Sequence, residues 1–260
     1  MTGRPTITAA LIALNEEHQL AELLPALDWV DEIVLVDGGS RDGTVAVAEQ
    51  FGCRVAVRKF DTFAGQRDHA LQLATSDWVL SVDADERPTP PMVAEVRRRI
   101  AEGRKSAFRV PIRSWIFGHP MRWSGTQDDR PVRLFRRDAA RWQGEVHERL
   151  HVVGCVGRLR HGLTHRTMPS LASFLTKMHR YTRLEAEGRL AVGRAPRWRD
   201  RWIAPPREFL RRLIYKQGFL DGRPGWAFCA LSGLSEWVLA QEHRRLWTAY
   251  RHREHQPTQT

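Results

Sequence analysis

Carboxylates follow two short apolar runs in the first third of the chain. Residues 33–37 form an apolar run that ends in Asp37, and residues 78–82 form a second run that leads to Asp83 and Asp85. Such runs are too short for helices and are typical of buried parallel strands, whose carboxyl ends deliver side chains to the ligand-binding edge of an α/β sheet. Two carboxylates at positions i and i+2 can both reach one divalent cation, and Mg²⁺ and Mn²⁺ prefer oxygen ligands shared with substrate phosphates. The sequence therefore predicts a Mg²⁺ or Mn²⁺ site at Asp83 and Asp85 that holds a phosphate-bearing ligand.

Two further segments have the composition of phosphate-binding turns. Residues 37–44 form a glycine-rich turn into a predicted helix, and they match neither the dinucleotide-binding GxGxxG pattern nor a P-loop, which needs a lysine. In this turn Asp37 is suited to hydrogen-bond a base or ribose edge, and Gly38 lets a ligand approach the backbone closely. Gln66 and Arg67 open another predicted helix, whose free N–H groups together with a guanidinium are suited to a diphosphate.

Strands and helices alternate along the first hundred residues. Strands are predicted at 6–12, 33–37, 54–58 and 78–83, and helices at 16–27, 44–51, 63–74 and 90–100. This alternation predicts an α/β domain with a mostly parallel, doubly wound sheet. Further strands are predicted at 107–112, 132–136 and 155–159, followed by helices at 171–187, 207–220 and 226–243. We therefore expect an α/β domain over residues 1–168 and a basic helical region over residues 169–260.

Charge is distributed unevenly between the two ends of the chain. Residues 1–90 contain 7 basic and 15 acidic residues, whereas residues 91–260 contain 34 basic and 15 acidic ones, within a net charge of +11. An acidic first part suits a cation-binding site, and a basic second part suits anionic partners.

The three cysteines match no metal or redox spacing, so free thiols in a reducing cytoplasm are expected. No signal peptide is expected, since the apolar run at residues 6–14 has the length of a strand. No membrane-spanning helix is expected either, since the most apolar stretch, residues 224–241, is short and interrupted by glycine and serine.

Four motifs together resemble the inverting GT-A glycosyltransferases of family 2. They are residues 14–17, 36–44, 65–68 and 82–86. Residues 133–137, followed by residues 146–148, are similar to the branch of bacterial lipopolysaccharide-core glucosyltransferases that transfer glucose to a core heptose. The resemblance covers roughly residues 6–165. It implies a GT-A fold, with a Rossmann-like, mostly parallel sheet and a helical C-terminal extension.

The resemblance also implies a reaction and roles for individual residues. An enzyme of this branch moves a hexose, here expected to be glucose, from a UDP-sugar to a lipopolysaccharide inner-core heptose with the help of Mg²⁺ or Mn²⁺. By position, Asp37 would contact the uracil or ribose, Asp83 the ribose and metal, and Asp85 the metal that bridges the diphosphate. Asp68 stands where the family commonly has asparagine. The residues expected to bind the donor are Asn15, Glu16, Asp37, Gly38, Gln66, Arg67, Asp83, Ala84 and Asp85, and those expected to meet the acceptor or its phosphates are Arg133 and Arg136.

Carboxylates near residue 145 are candidates for the catalytic base. An acceptor hydroxyl is a weak acid, and a positioned carboxylate that takes its proton typically accelerates attack by ~10²–10⁴-fold. Glu145, Glu148 and Asp129 are the candidates. The resemblance of residues 146–148 favours Glu148, and it gives His147 the role of orienting this base or binding the metal.

One local pattern points to a different class of protein. Residues 147–151 spell HExxH, the signature of zinc peptidases, for which His161 or His165 would supply a third ligand. That chemistry needs both histidines of the motif on one helical face, whereas the flanking Gly144 and Gly154 are typical of strand and turn. A zinc peptidase also leaves both acidic strand ends unexplained.

The basic C-terminal region carries amphipathic patterns. Residues 207–220 combine arginines with apolar side chains, a combination typical of interfacial membrane anchors, although an ordinary amphipathic core helix has the same pattern. No nucleic-acid-binding motif is recognisable. The expected partners are therefore a nucleotide-sugar donor such as UDP-glucose, a phosphorylated lipid-linked glycan and the cytoplasmic surface of the inner membrane, without nucleic acid. The alternatives left open are a polyprenyl phosphate or protein acceptor, and a non-catalytic protein that binds membranes or nucleic acid.

Overall fold

The computed structural model describes residues 3–126, 130–143 and 149–254. The chain divides into two compact units. The first consists of Met1–Arg113 with Asp128–His165, and the second of Ser114–Gln127 with Arg166–Thr260. The boundary expected after residue 168 lies near this division, but the sequence interpretation assigned Ser114–Gln127 to the first part.

Strands occur mainly in the first unit. The strands of the described residues are β1 (Ile7–Ala13), β2 (Glu32–Asp37), β3 (Arg54–Val57), β4 (Trp78–Ser81), β5 (Glu86–Pro88), β6 (Ala107–Arg109), β7 (Ile112–Ile116), β8 (His119–Pro120), β9 (Val132–Arg136), β10 (Ala140–Gln143), β11 (Arg149–Val152), β12 (Val156–Arg158) and β13 (Leu163–Met168).

A seven-stranded sheet forms the centre of the first unit, with the order β12-β6-β9-β4-β1-β2-β3. The four strands from β4 to β3 are parallel, and the register pairs Ala9 with both Ile33 and Leu80. β9 lies antiparallel between β4 and β6, and β12 runs parallel to β6. The prediction of a mostly parallel α/β sheet is confirmed.

Helices cover both faces of this sheet, which explains why its central strands are apolar on both sides. The helices of this unit are α1 (Glu17–Leu23), α2 (Thr44–Gln50), α3 (Phe63–Leu73) and α4 (Pro90–Ala101). α1, α2 and α4 pack on one face with Leu11 and Leu35, whereas α3 packs on the other with Val34 and Val36. The predicted leucine stripe after β1 is buried: its members are Leu20, Leu23, Leu24 and Leu27.

Gly162, which precedes β13, lies where the backbone leaves no room for a side chain. A Cβ atom there would be 1.7 Å from the carbonyl oxygen of Pro111. That oxygen is held in place because it accepts a hydrogen bond from the N–H of Leu163 at 3.0 Å, and the carbonyl of Gly162 itself accepts one from Thr89 at 2.9 Å.

We expect Gly162→Ala to lower the free energy of unfolding by about 1–3 kcal/mol, the usual cost of forcing extra atoms into a packed site. Gly188→Ala is the matched control, because a Cβ there meets nothing within 4 Å. It lies inside a helix of the second unit, where alanine is favoured over glycine by about 0.5–1 kcal/mol. Thermal unfolding of both variants tests this, and a Gly162→Ala protein as stable as the wild type would contradict it.

The second unit is helical. Its helices are α5 (Leu171–Ala191), α6 (Trp198–Trp202), α7 (Ala204–Leu210) and α8 (Gly222–Glu254). α5 begins at a capping box, in which the Ser170 hydroxyl accepts from the N–H of Ser173 at 3.1 Å. The core of this unit is an apolar cluster in which the Phe174 and Phe228 rings meet edge to face at 6.4 Å.

Three element predictions were wrong in extent. The strand expected at 107–112 is two strands, β6 and β7, which belong to different sheets and are interrupted before Ile112, where Pro111 has no N–H to donate. The helix expected at 207–220 starts earlier, as α7, continues through a π-helical turn at Arg211–Tyr215 and ends before Gln217, whose φ is 55°. The helix expected at 226–243 is the middle of α8.

Across residues 3–126, 130–143 and 149–254, no helix combines the length and apolar composition needed to cross a membrane.

Candidate active site

The crevice of the first unit lies between β1 and β4. The chain leaves β1 to build β2 and β3 on one side, whereas β4 adds to the other side of β1. In open α/β sheets, ligands bind at the carboxyl ends of the strands where the order reverses in this way. Residues 14–17, which follow β1, and residues 82–86, which follow β4, are therefore the walls of the candidate site.

The loops after β1 and β2 are fastened to each other by hydrogen bonds. The Asn15 N–H donates to the Ser40 hydroxyl at 2.8 Å, and the Asn15 side-chain oxygen accepts from the N–H of Arg41 at 2.8 Å. The Glu16 N–H donates to the Thr44 hydroxyl at 2.8 Å. Two motifs far apart in sequence thus form one rim, and Asn15 adopts a φ of 57° within it.

Asp37 organises its own turn. Its carboxylate is 1% exposed and accepts hydrogen bonds from the N–H groups of Gly39 and Ser40, both at 2.8 Å, and from the Ser40 hydroxyl. Gly39 has a φ of 98°, which favours glycine. The N–H of Gly38 donates to the carbonyl oxygen of Ala13 at 2.8 Å, which ties the turn to the end of β1. Asp37 therefore fixes the shape of the rim in this structure.

Gln66 is buried at the start of α3. Its side-chain NH₂ donates to the carbonyl oxygens of Arg58 and Lys59 at 3.1 and 3.2 Å, which fixes the chain entering the helix. The N-cap of this helix is Thr62, whose hydroxyl accepts from the N–H of Gly65 at 2.9 Å. Gln66 thus positions the helix from within the fold.

Four charged side chains form a cluster beneath the β4 end, in which Arg67, Glu86 and Arg133 are buried and Asp83 is partly exposed. Asp83 accepts hydrogen bonds from Arg67 and from Arg133, both at 2.6 Å. Arg133 also donates to Glu86 at 2.9 Å, and the second oxygen of Glu86 accepts from the N–H of Asp83 at 2.9 Å. Arg67 further contacts Ser81 at 3.0 Å. We call Arg67, Asp83, Glu86 and Arg133 the ionic cluster.

The ionic cluster separates the pKa values of its two carboxyl groups. Burial alone would raise the pKa of Asp83, but the guanidiniums of Arg133 and Arg67 hold it at about 2. Burial raises the pKa of Glu86 to about 7, because the nearby guanidinium of Arg133 lowers this pKa only in part and the negative charge of Asp83 raises it further. Asp83 is thus an anion whose two oxygens are both engaged by arginine, so in this arrangement it supports the β4 end.

Asp85 is oriented differently. Its carboxylate lies 2.9 Å from Nε2 of His165, and the two side chains are 28% and 26% exposed. β13 brings the histidine here, because it pairs antiparallel with β5 and places His165 opposite Glu86. Burial alone would lower the pKa of His165, but the hydrogen bond to Asp85 and the neighbouring carboxylates raise it. Asp85 and His165 form a half-exposed carboxylate–imidazole pair at the rim.

This pair has the chemistry of a partial metal site. The described residues contain no group of three or more His, Cys, Asp or Glu side chains arranged to hold a metal. Mg²⁺ and Mn²⁺, however, are commonly held by one or two protein ligands, with water and substrate phosphates completing the shell. A carboxylate suits either ion, whereas an imidazole suits transition metals. Asp85 and His165 therefore fit a metal that is shared with a phosphate ligand, and Mn²⁺ better than Mg²⁺.

His165 was not predicted for this site. Its only predicted role was that of a third zinc ligand in the peptidase alternative. The pairing of β5 with β13 joins residues about eighty positions apart, and no local pattern indicates it. Glu86 was within a recognised motif but received no role, although its place beside Asp83 and Asp85 was a signal.

The remaining predicted residues occupy varied positions. Ala84 is buried, and its carbonyl oxygen accepts from Arg87 at 2.7 Å. Arg133 lies inside the ionic cluster, so the structure does not present it to an acceptor. Arg136 is exposed, 6.0 Å above the Trp78 ring and 3.7 Å from Asp138. The candidate bases and their neighbour lie outside the described residues: Asp129, Glu145, His147 and Glu148.

Two strands flank the segment that carries the candidate bases. β10 and β11 pair antiparallel, with Trp142 opposite Leu150. The Trp142 ring lies 5.3 Å from the Arg67 guanidinium, and the backbone N–H of Trp142 donates to the Asp68 carboxylate at 3.3 Å. His151, the second histidine of the HExxH pattern, is in strand β11 rather than in a helix. A HExxH zinc site needs both histidines on one helical turn, whereas the described part of the motif, residues 149–151, lies in a strand.

The fold and the rim define an α/β protein whose ligand crevice lies at the strand-order reversal between β1 and β4. The profile of Glycosyl transferase family 2 matches residues 8–155, more than half of the chain. The chain belongs to this family of glycosyltransferases.

Individual relatives agree with the family assignment. The lipopolysaccharide core biosynthesis glycosyltransferase LpsC of Rhizobium meliloti (strain 1021) is 30% identical over 245 residues, which cover 91% of this chain and 88% of that protein. An uncharacterized glycosyltransferase of Rickettsia felis is 37% identical over 91 residues, which cover 35% of this chain and 32% of that protein.

Solved structures are similar at a lower level. S. aureus TarS 1-349 in complex with UDP matches with a TM-score of 0.46 and 15% identity, over 97% of this chain and 93% of that one. Glucosyl-3-phosphoglycerate synthase from Mycobacterium tuberculosis, in complex with Mn2+, UDP and glucosyl-3-phosphoglycerate, matches with a TM-score of 0.40 and 19% identity, over 64% and 73% of the two chains.

Proposed function

We propose that this glycosyltransferase moves a hexose, expected to be glucose, from a UDP-sugar to an inner-core heptose of lipopolysaccharide. The observation that carries the proposal is the Asp85–His165 pair at the β4 end of the crevice. The acceptor is suggested by LpsC, whose name assigns it to lipopolysaccharide core biosynthesis and which this chain matches over most of its length. A lipid-linked acceptor of this kind suggests that the enzyme works at the cytoplasmic face of the inner membrane.

The donor is proposed to bind in the crevice with its diphosphate at the Asp85–His165 pair. Mn²⁺ or Mg²⁺ held by these two residues would offset the charge that develops on the leaving diphosphate. The rim formed by Asn15, Asp37 and Gly38 would receive the nucleoside, since it presents backbone groups of residues 38–41 in a fixed shape. The ionic cluster keeps the backbone of residues 83–86 in place while the sugar–phosphate bond breaks.

The acceptor hydroxyl is proposed to attack the anomeric carbon from the face opposite the diphosphate, which inverts the configuration there. Glu148 takes the proton of that hydroxyl, and His147 orients it. The new glycosidic bond forms as the bond to the diphosphate breaks, so the products are the extended glycan and UDP.

Glu148→Gln is expected to lower the rate of transfer by about 10²–10⁴-fold, the usual contribution of a positioned base. Donor affinity should be unchanged, because the base acts on the acceptor. Glu145→Gln is the paired variant, expected to transfer sugar nearly as fast as the wild type. Single-turnover transfer rates, together with UDP titration by calorimetry, test both, and the opposite ranking would move the base to Glu145.

The function itself is tested by measuring binding and slow hydrolysis of a panel of nucleotide sugars, with Mn²⁺, with Mg²⁺ and with EDTA. We expect release of UDP from one sugar, faster with Mn²⁺ than with Mg²⁺, and loss of release in EDTA. Heptose-containing core oligosaccharide, polyprenyl phosphate and peptide acceptors are then compared with that donor. Absence of binding to any nucleotide sugar by the folded protein would contradict the proposal.

A further inference from the structure

An exposed apolar ridge runs along the segment from α6 to the π-helical turn of the second unit. Its members recur every four residues and are neighbours on a helix surface. Its large side chains are exposed, by 65% at Trp198, 63% at Trp202, 49% at Leu210 and 62% at Ile214. Pro206, which lies between Trp202 and Leu210 in the series, is exposed as well. We call these five residues the ridge.

A second exposed row lies beside the ridge, one residue further along at each step. It consists of Arg199, Ile203, Arg207, Arg211 and Tyr215. Backbone hydrogen bonds connect the first three residues of this row. The N–H of Ile203 donates to the carbonyl oxygen of Arg199 at 2.9 Å, and the N–H of Arg207 donates to the carbonyl oxygen of Ile203 at 3.1 Å. Arginine thus alternates with large apolar side chains along one solvent-facing strip.

The opposite side of the same segment is packed inside the second unit. Leu213 is 6% exposed, and the Phe209 ring lies 6.4 Å from that of Trp226. Glu208 accepts from Arg211 and Arg212, both at 2.7 Å, which fixes the π-helical turn. The segment therefore has one docked face already, and the ridge belongs to its other face.

The charge around the ridge is strongly positive. Residues 197–216 contain seven basic and two acidic side chains. Both acids are engaged within the segment or next to it: Asp200 accepts from the N–H of Arg197 at 3.1 Å, and Glu208 binds the two arginines of the π-helical turn. Guanidiniums also lie against the exposed indoles, with Arg199 at 5.6 Å from Trp198 and Arg201 at 4.9 Å from Trp202.

We propose that the ridge docks the protein on the surface of an anionic phospholipid bilayer. Exposed tryptophan, leucine and isoleucine suit the boundary between headgroups and acyl chains, and the adjacent arginines suit lipid phosphates. Arginine stems also cover apolar surface while the charged ends reach the phosphates. The proposal deepens the membrane location suggested above and does not depend on the identity of the sugar or acceptor.

The test uses the full-length chain and sedimentation with vesicles of phosphatidylcholine alone or mixed in equal parts with phosphatidylglycerol. We expect the wild type to sediment with the mixed vesicles only, and less at high salt. Trp198→Ser with Trp202→Ser should weaken this binding at least tenfold, and Arg199→Gln with Arg207→Gln should weaken it and remove most of its salt dependence. The matched control is Tyr181→Ser with Leu184→Ser, since these α5 side chains are 61% and 53% exposed.

Three results would overturn the docking proposal: no sedimentation of the wild type, equal binding by the tryptophan variant, or equal losses in the control. Light scattering tests whether the ridge binds a second copy of the chain instead of a membrane. If the wild type binds no vesicles but self-associates, and the tryptophan variant does not self-associate, the ridge is a dimer interface. UDP-sugar hydrolysis without vesicles is measured in parallel. It should be the same in the ridge variants and the wild type, so failure of docking and failure of the proposed function remain distinguishable.

Discussion

Asp85→Asn is expected to abolish metal-dependent binding of UDP and to lower sugar transfer by at least about 10²–10³-fold, the usual cost of removing one group that stabilises transition-state charge. The reason is that the amide keeps the shape of the carboxylate but loses the negative charge that a divalent ion needs. The side chain is 28% exposed, so the substitution should change the free energy of unfolding by no more than about 1 kcal/mol. Calorimetric titration of UDP with Mn²⁺ and with EDTA measures the binding.

His165→Asn extends this test to the second member of the pair. It should weaken Mn²⁺ binding, measured from the paramagnetic signal of the free ion, while leaving any residual metal-independent UDP binding unchanged. Asp138→Asn is the control, because Asp138 is also an exposed aspartate near an arginine, at 3.7 Å from Arg136. Full Mn²⁺-dependent UDP binding by Asp85→Asn would remove Asp85 from the site, whatever the effect on transfer.

Local patterns were sufficient to predict most of the first unit. Strand and helix positions followed from apolar runs and periodicity, and the acidic strand ends followed from the parallel α/β pattern. The turn after β2 was also local, since Asp37 and two glycines within three residues determine its shape. The sequence could not show whether the Asp37 carboxylate binds a ligand or accepts hydrogen bonds from its own turn, because an aspartate suits both roles.

Contacts between residues far apart in the sequence give Asp83 and Asp85 different surroundings, which local patterns could not predict. Asp83 and Asp85 look equivalent in the motif, yet β9 brings Arg133 to the first and β13 brings His165 to the second. One carboxylate is thereby held between two arginines, and the other pairs with a histidine at the rim. The same long-range effect moved Arg133 from an expected acceptor contact to the interior. Strand pairing of this kind depends on the whole chain, which explains why local spacing gave both aspartates one role.

The ionic cluster predicts the largest effect on stability. Arg133→Met is expected to lower the free energy of unfolding by about 3–5 kcal/mol, the usual cost of leaving a buried charge without its partner. Glu86 is 1% exposed and would lose its guanidinium while remaining beside Asp83. Arg136→Met is the matched control on the same strand, since Arg136 is 44% exposed and its ion pair to Asp138 is long, so a change within about 1 kcal/mol is expected. Urea unfolding followed by circular dichroism measures both.

A double variant separates charge from packing as the source of that loss. Removing Glu86's charge in the Arg133→Met background, with Glu86→Gln, should recover part of the stability, because the amide tolerates burial better than an unpaired carboxylate. Lost packing alone predicts the opposite, a double variant at least as unstable as Arg133→Met. Asp83 still faces Arg67 at 2.6 Å in both proteins, so one ion pair at the β4 end is retained throughout the comparison. A loss below about 1 kcal/mol in Arg133→Met itself would show that the cluster is not what holds the β4 end in place.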